Sequence, residues 1–378
     1  MRFVQKVRSE LESPREKRVF GSGWISGSFA LLAGIVGFLM VVVLRNPSLT
    51  SVPQLALVHQ SVLFRLAVYL VLASGFVLAA LSLVLRRDKT LGTAAMVVTL
   101  LGTMIGSLPA HRDIQIGGIF FGIDFFILNV LFTGFLFIPI ERLFAQNRTQ
   151  EIFREDWRED LFYYLVSSLF VQILSYLTLA PSNYIIHTHD LGVVRAWARG
   201  LPWAVQLIAI MLLTDIAQYW LHRAFHRVPF LWAFHAVHHS ARSMDWIAGA
   251  RMHFLEIIVL RSVTATPALV IGFDESALQA YMLIVYVYST FIHSNLRGSF
   301  GFLEKIFVVP RFHHWHHGIE DEAVDVNFAI HFPFLDRLFG THHLPDGKWP
   351  AAYGVAGHPV PRGYWKQLLY PFRRRQLV

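Results

Sequence analysis

Three dense groups of histidine lie between residues 222 and 317: His222-Arg-Ala-Phe-His226, His235-Ala-Val-His238-His239 and His313-His314-Trp-His316-His317. The second and third share the spacing HxxHH. With 19 histidines in 378 residues, chance supplies only ~0.05 such matches, so two are not accidental. Residues three and four apart share a helix face. His222/His226, His235/His239 and His313/His317 are therefore paired, and His238 and His316 each add an i+3 member. Each group can aim two or three imidazoles at one point, and three such helices brought together can hold two metal ions. His293, followed by Ser294-Asn295, offers one more ligand. His314 falls off the pattern and reads as a neighbour of the site.

The chain has no cysteine, which excludes disulfides, thiolate sites and iron–sulfur clusters. Nitrogen-rich ligation alone does not name the metal, because imidazole suits zinc, copper, iron and nickel. Asp215, Tyr219, His222 and His226 form one helical stripe. A carboxylate inside an apolar run is costly. Asp215 either orients a metal-bound imidazole or hydrogen-bonds within the helix bundle. His59 and His111 read as surface or loop positions. His331, His342, His343 and His358 read as surface residues or substrate-side groups.

The elements that must position these side chains are apolar. The chain is 54% hydrophobic and only 15% charged, the balance of an integral membrane protein. Eight runs approach membrane-crossing length: 23–44, 61–85, 91–108, 116–140, 161–179, 203–221, 254–271 and 276–292. The fifth could instead be a long interfacial helix, and 181–202, with Arg195 and Arg199, reads as an external loop or interfacial helix. The net charge of +8 gathers at the edges of apolar runs, as topology determinants do, and is not a nucleic-acid footprint. Lys6, Arg8, Arg15, Lys17 and Arg18, then Arg86-Arg87-Asp-Lys89, then 142–158, fall on one side if each run crosses once. By the positive-inside rule that side is the cytoplasm. Continued alternation puts all three histidine groups and Arg373-Arg374-Arg375 there too. The polar start does not read as a signal peptide and is expected to stay in the cytoplasm.

The expected fold is all-α: a polytopic membrane bundle of about eight crossings with a cytoplasmic, histidine-rich helical cap holding a dinuclear metal site. Three regions follow: 1–145, four apolar runs without assigned chemistry; 146–345, the catalytic region; and 346–378, a cytoplasmic tail. Negligible strand is expected.

These residues resemble the fatty acid hydroxylase / sterol desaturase superfamily of membrane-bound, non-haem di-iron oxidoreductases. The resemblance runs from about Leu213 to Thr341. It rests on an HRxxH box (His222-Arg223 to His226), the two HxxHH boxes, Arg251-Met-His253-Phe-Leu-Glu256 and His293-Ser-Asn295. Asn327-Phe328 and Asp336-Arg-Leu-Phe-Gly340-Thr341 complete it. It implies metal ligation by His222, His226, His235, His238, His239, His293, His313, His316 and His317. Some members carry another histidine where this chain has Arg297, which cannot ligate. That departure implies a second ion completed by water held by Asn295 or Asn327, or by His253.

The resemblance further implies two ferrous ions, O₂ as co-substrate and a lipid substrate, whether sterol, fatty acyl, sphingoid or ether lipid. The product would be hydroxylated or desaturated, and zinc could occupy such a site in isolated material. No haem-binding, flavin or ferredoxin segment is present, so electrons would come from a separate donor of cytochrome b5, ferredoxin or flavin-reductase type. Two rivals stand beside this reading. A zinc-dependent intramembrane hydrolase would need a glutamate base beside its ligands, as in HExxH, and none is present. A metal transporter or sensor would spread histidines and acids across the bilayer depth, whereas these gather at one face.

Overall fold

The computed structural model of the chain describes residues 2–46, 62–107, 123–298, 300–357 and 360–373. His59, His111, His358, the start of the fourth apolar run and Arg374-Arg375 lie outside them. Packing divides the chain into two compact units, Met1–Phe135 and Leu136–Val378.

In the first unit a short helix α1 (Arg2–Leu11) precedes three apolar ones: α2 (Trp24–Arg45), α3 (Val62–Leu85) and α4 (Thr90–Ser107). Small residues let these three approach closely, which is how helices associate where lipid removes the hydrophobic drive. A β-carbon on Gly34 would sit 2.7 Å from the Thr99 hydroxyl and 3.1 Å from the Ala95 carbonyl, so only glycine fits there. At one end Arg86 forms an ion pair with Glu10, while Trp24 Nε1 donates to the Glu10 carbonyl at 2.9 Å.

Helix α5 (Ile123–Phe144) leads in sequence to the second unit, which contains α6 (Trp157–Leu169), α7 (Val171–Thr188), α8 (Gly192–Gly200), α9 (Trp203–Arg227) and α10 (Pro229–His239). It continues with α11 (Phe254–Ile271), α12 (Glu275–His293), α13 (Leu303–Ile306), α14 (Pro310–His316), α15 (Phe334–Leu338) and α16 (Tyr364–Leu368). Strand is confined, among the described residues, to two isolated bridges, Ala145 with Leu296 and Gly318 with Tyr353.

Helix α9 packs against both α11 and α12, and the three run back and forth, so the end of α9, the start of α11 and the end of α12 share one end of the bundle. The opposite end is tied by arginines. Arg195 donates to the Leu269 carbonyl at 3.1 Å and Arg199 to that of Gly272 at 3.3 Å, charges that suit a helix C-terminus. Segment 181–202 is thus helical in two pieces: α7 continues through Pro181 to Thr188, and α8 carries both arginines. The fifth apolar run is a bent pair, α6 and α7, meeting at 58°.

All eight apolar runs fall in helices where they are described. Among the described residues four helices, α2, α3, α9 and α11, are long and apolar enough to cross a membrane, and the bent pair would make a fifth. Helix α12 is diluted by Gln279, three tyrosines, Ser289 and Thr290. The chain is a membrane protein by this composition.

Candidate metal centre

Each histidine group sits where one helix hands over to the next. His222 and His226 occupy the last turns of α9. Val228 then breaks the helix and Pro229 opens α10 from a first-turn position, where proline costs no hydrogen bond. His235, His238 and His239 line the end of α10. Pro310 opens α14 likewise, placing His313, His316 and His317 one turn further on. His293 ends α12.

The structure brings all nine together in two buried groups. One is His222, His226, His235, His239 and His316; the other is His238, His293, His313 and His317. Within each, one nitrogen per ring lies within 4.8 Å of all the others. The groups abut, with the rings of His239 and His317 stacked 4.4 Å apart.

The hydrogen bonds on the far side of the rings decide what those nitrogens carry. His222 Nδ1 donates to the Phe328 carbonyl at 2.9 Å and His235 Nδ1 to Glu256 Oε1 at 2.6 Å. His238 Nδ1 donates to the Arg251 carbonyl at 3.0 Å, His293 Nδ1 to that of Ser289 at 2.7 Å, and His316 Nδ1 to that of Val326 at 2.8 Å. A neutral ring has one N–H, so in these five the Nε2 atom bears the lone pair. Yet Nε2 of His222 lies 3.0 Å from Nε2 of His235, and that of His238 lies 3.3 Å from that of His293. These are lone pairs facing lone pairs. Nε2 of His226 and of His316 are buried with no hydrogen-bond partner at all.

Burial keeps the rings neutral. It holds the His238 imidazole down at about 4, and it holds His235, His239, His313, His316 and His317 well below the ordinary histidine value, with neighbouring imidazoles adding to the effect. Converging, unprotonated nitrogens with no proton to share fit a cation. An ion held by imidazoles at about 2.0–2.1 Å separates neighbouring donors by about 3.0–3.4 Å, which is the spacing present here.

Two different scaffolds hold the rings. The first group leans on segment 326–332, whose Val326 and Phe328 carbonyls take the His316 and His222 rings. That segment is pinned by buried carboxylates. Asp336 accepts from the backbone N–H of Phe328 at 2.8 Å and of Ala329 at 2.9 Å. Asp215 accepts from Ile330, His331 and Phe332 at 2.8, 3.2 and 2.7 Å. The second group leans on loop 240–253. There Arg154 bridges Asp160 and Asp245 at 2.5 and 2.6 Å, and Arg251 meets Asp160 at 2.5 Å. A β-carbon on Gly249 would come 2.8 Å from His293 Nδ1, so glycine there lets the loop lie flat against the ring.

Four expected supporting residues behave otherwise. Asp215 orients no imidazole directly, because its oxygens are taken by three backbone N–H groups that would be orphaned without it. His253 caps α11: its Nδ1 accepts from Leu255 N–H at 3.2 Å and its Nε2 donates to the Leu368 carbonyl at 3.0 Å. Asn295 pairs with the Asn147 backbone at 2.8 and 3.0 Å. Asn327 ties the Phe312 and His343 backbones together at 2.7–2.9 Å. None of the four hydrogen-bonds to a ring of either group. Both nitrogens of His314 are spent on Tyr353 and Ser294. His331 is fully buried, its Nε2 3.2 Å from the Tyr281 hydroxyl, and is therefore no surface residue. Sequence reasoning assigned no role to Glu256, Asp336, Asp160 or Gly249. Glu256 carried a signal, an acid in the first turn of an apolar helix.

Residues 207–341 match the family model for fatty acid hydroxylase. The ornithine lipid hydroxylase OlsE of Rhizobium tropici is 28% identical over 47% of this chain and 54% of its own length. The alkylglycerol monooxygenase of Homo sapiens is 30% identical over 42% of this chain and 34% of its own. The chain thus spans about half, and about a third, of the length of these relatives. No solved structure matches it. The span that matches the fatty acid hydroxylase family model, residues 207–341, holds all nine imidazoles.

Proposed function

We propose that this protein is a membrane-bound oxidoreductase that uses O₂ to hydroxylate or desaturate a lipid. One iron ion would be held by His222, His226, His235, His239 and His316, the other by His238, His293, His313 and His317. The observation that carries this reading is the pairing of buried, unprotonated Nε2 atoms at 3.0–3.3 Å, an arrangement that calls for a cation. The relatives' names, a lipid hydroxylase and an alkylglycerol monooxygenase, support oxidative chemistry on a lipid over hydrolysis or transport.

Two ferrous ions would supply what no side chain can, the reduction of O₂ and removal of hydrogen from an unactivated C–H bond. The protein's part is positional. Carbonyls of segment 326–332, Arg251 and Ser289, with the Glu256 carboxylate, fix five rings by their outer nitrogens, so little reorganises when charge develops. Burial of every ring keeps bulk water from the reacting face. Apolar helices on one side of the cluster give a lipid chain access from the bilayer.

By the same reading the chain crosses the membrane about eight times, with both termini and the metal centre on the cytoplasmic side. Residues 1–145 anchor or admit substrate, 146–345 are catalytic, and 346–378 form a tail. Electrons come from a separate donor of cytochrome b5, ferredoxin or flavin-reductase type. Comparative lipid profiling of cells with and without the gene tests the function. A lipid gaining one oxygen or losing two hydrogens is expected; identical profiles, together with readily exchanged zinc in place of iron, would refute it.

A further inference from the structure

Arg297 stands where a further ligand was conceivable from the sequence, and the structure puts it to another use. It lines a cavity of about 780 Å³ between the last turns of α5 and one face of α12. Phe137, Ile140 and Phe144 form one wall, Val287 and Phe291 the other. The size falls within the range of small-molecule sites. Tyr288 also lines it but spends its hydroxyl on the Val308 carbonyl, so the walls offer apolar surface alone. Arg297 is the one charged residue of the lining. Its backbone is fixed, its N–H donating to the Phe144 carbonyl at 2.8 Å, while its side chain is exposed. Among the described residues no acid pairs with its guanidinium.

The cavity is not the way to the metal centre. At 3.6 residues per turn, His293 is turned about 120° from Val287 and about 160° from Phe291, so α12 itself stands between. The cavity follows α12 from Leu283 to Phe291, about 12 Å of helix, and Arg297 comes just beyond the helix end that carries His293. An apolar slot between two helices with a cation just beyond one helix end suits a lipid with an acidic headgroup, and guanidinium pairs well with phosphate oxygens.

We propose that this cavity is a second lipid site, holding one acyl chain of an anionic phospholipid whose phosphate pairs with Arg297. The site is independent of the oxidative reading. Full-length protein in mild detergent is titrated with phosphatidylglycerol or phosphatidylcholine, and retained lipid is counted by native mass spectrometry. The unaltered protein should hold phosphatidylglycerol about tenfold more tightly, a difference the size of one good charge-assisted contact. Arg297→Gln should abolish that preference, Arg297→Lys should keep most of it, and Val287→Trp should expel the lipid. Metal content should stay constant in all three variants. Equal retention of both lipids, a preference that survives Arg297→Gln, or lipid still bound in Val287→Trp would each overturn the proposal.

Discussion

The two imidazole groups are built from the same side chain on different supports. Two rings of the five-ring group, His222 and His316, hang from segment 326–332, pinned by Asp215 and Asp336, and a third, His235, hydrogen-bonds to a carboxylate, Glu256. The four-ring group rests on a salt-bridged loop and meets only carbonyls; the outer nitrogens of His313 and His317 have no partner. A carboxylate on the outer nitrogen makes an imidazole a stronger donor. The five-ring group should therefore bind its ion more tightly, and the four-ring group, with fewer donors, should be the more open and exchangeable one.

Changes that strike one support and spare the other test this contrast. The largest effect is expected from Asp160→Ala, which takes from Arg251 its closest carboxylate and leaves Arg154 with Asp245 alone in a buried network. Removing one member of such a network costs about 3–5 kcal/mol. Thermal unfolding should show that loss, and the four-ring group should lose its ion first. Equal loss from both groups would mean that the loop supports the whole cap. Next comes Glu256→Gln, which keeps the shape and removes the charge. Metal titration should show about tenfold weaker binding at the five-ring group with the other unchanged. An unaltered affinity would reduce Glu256 to packing.

Gly249→Ala should act in the opposite direction on the contrast. Its methyl group forces His293 aside by a few tenths of an ångström, and the four-ring ion alone should bind severalfold more weakly. Acid should loosen the cap that carries both groups. His238 and His314 are held at about 4 by burial, whereas an unfolded chain takes up those protons near 6.5. Between these values the unfolded state binds more protons, so stability falls as pH drops from 6.5 toward 4. Near-ultraviolet circular dichroism of metal-free protein should show the cap loosening over that window and holding above it.

The sequence makes the imidazoles easy to find because helical spacing is a local property: i, i+3 and i+4 suffice to pair them. Their supports are not local. Asp215 reaches a segment more than a hundred residues away, and its placement on the His222 stripe suggested a ring partner that the backbone of Ile330 to Phe332 outcompetes. Glu256 could be seen as an acid in an apolar helix, but only folding brings it to His235. The break between α6 and α7 at Phe170 also escaped, since no proline or glycine marks it. Arg297 was legible as a departure from the family pattern, while its place in an apolar cavity depends on how α5 meets α12.

The central claim is that two adjoining groups each hold one ion. Counting metal in purified protein, with His239→Ala and His317→Ala beside it, tests this most directly. The account predicts two irons per chain in the unaltered protein and about one in each variant, lost from the five-ring group in the first and the four-ring group in the second. One ion in the unaltered protein, or two in both variants, would contradict it.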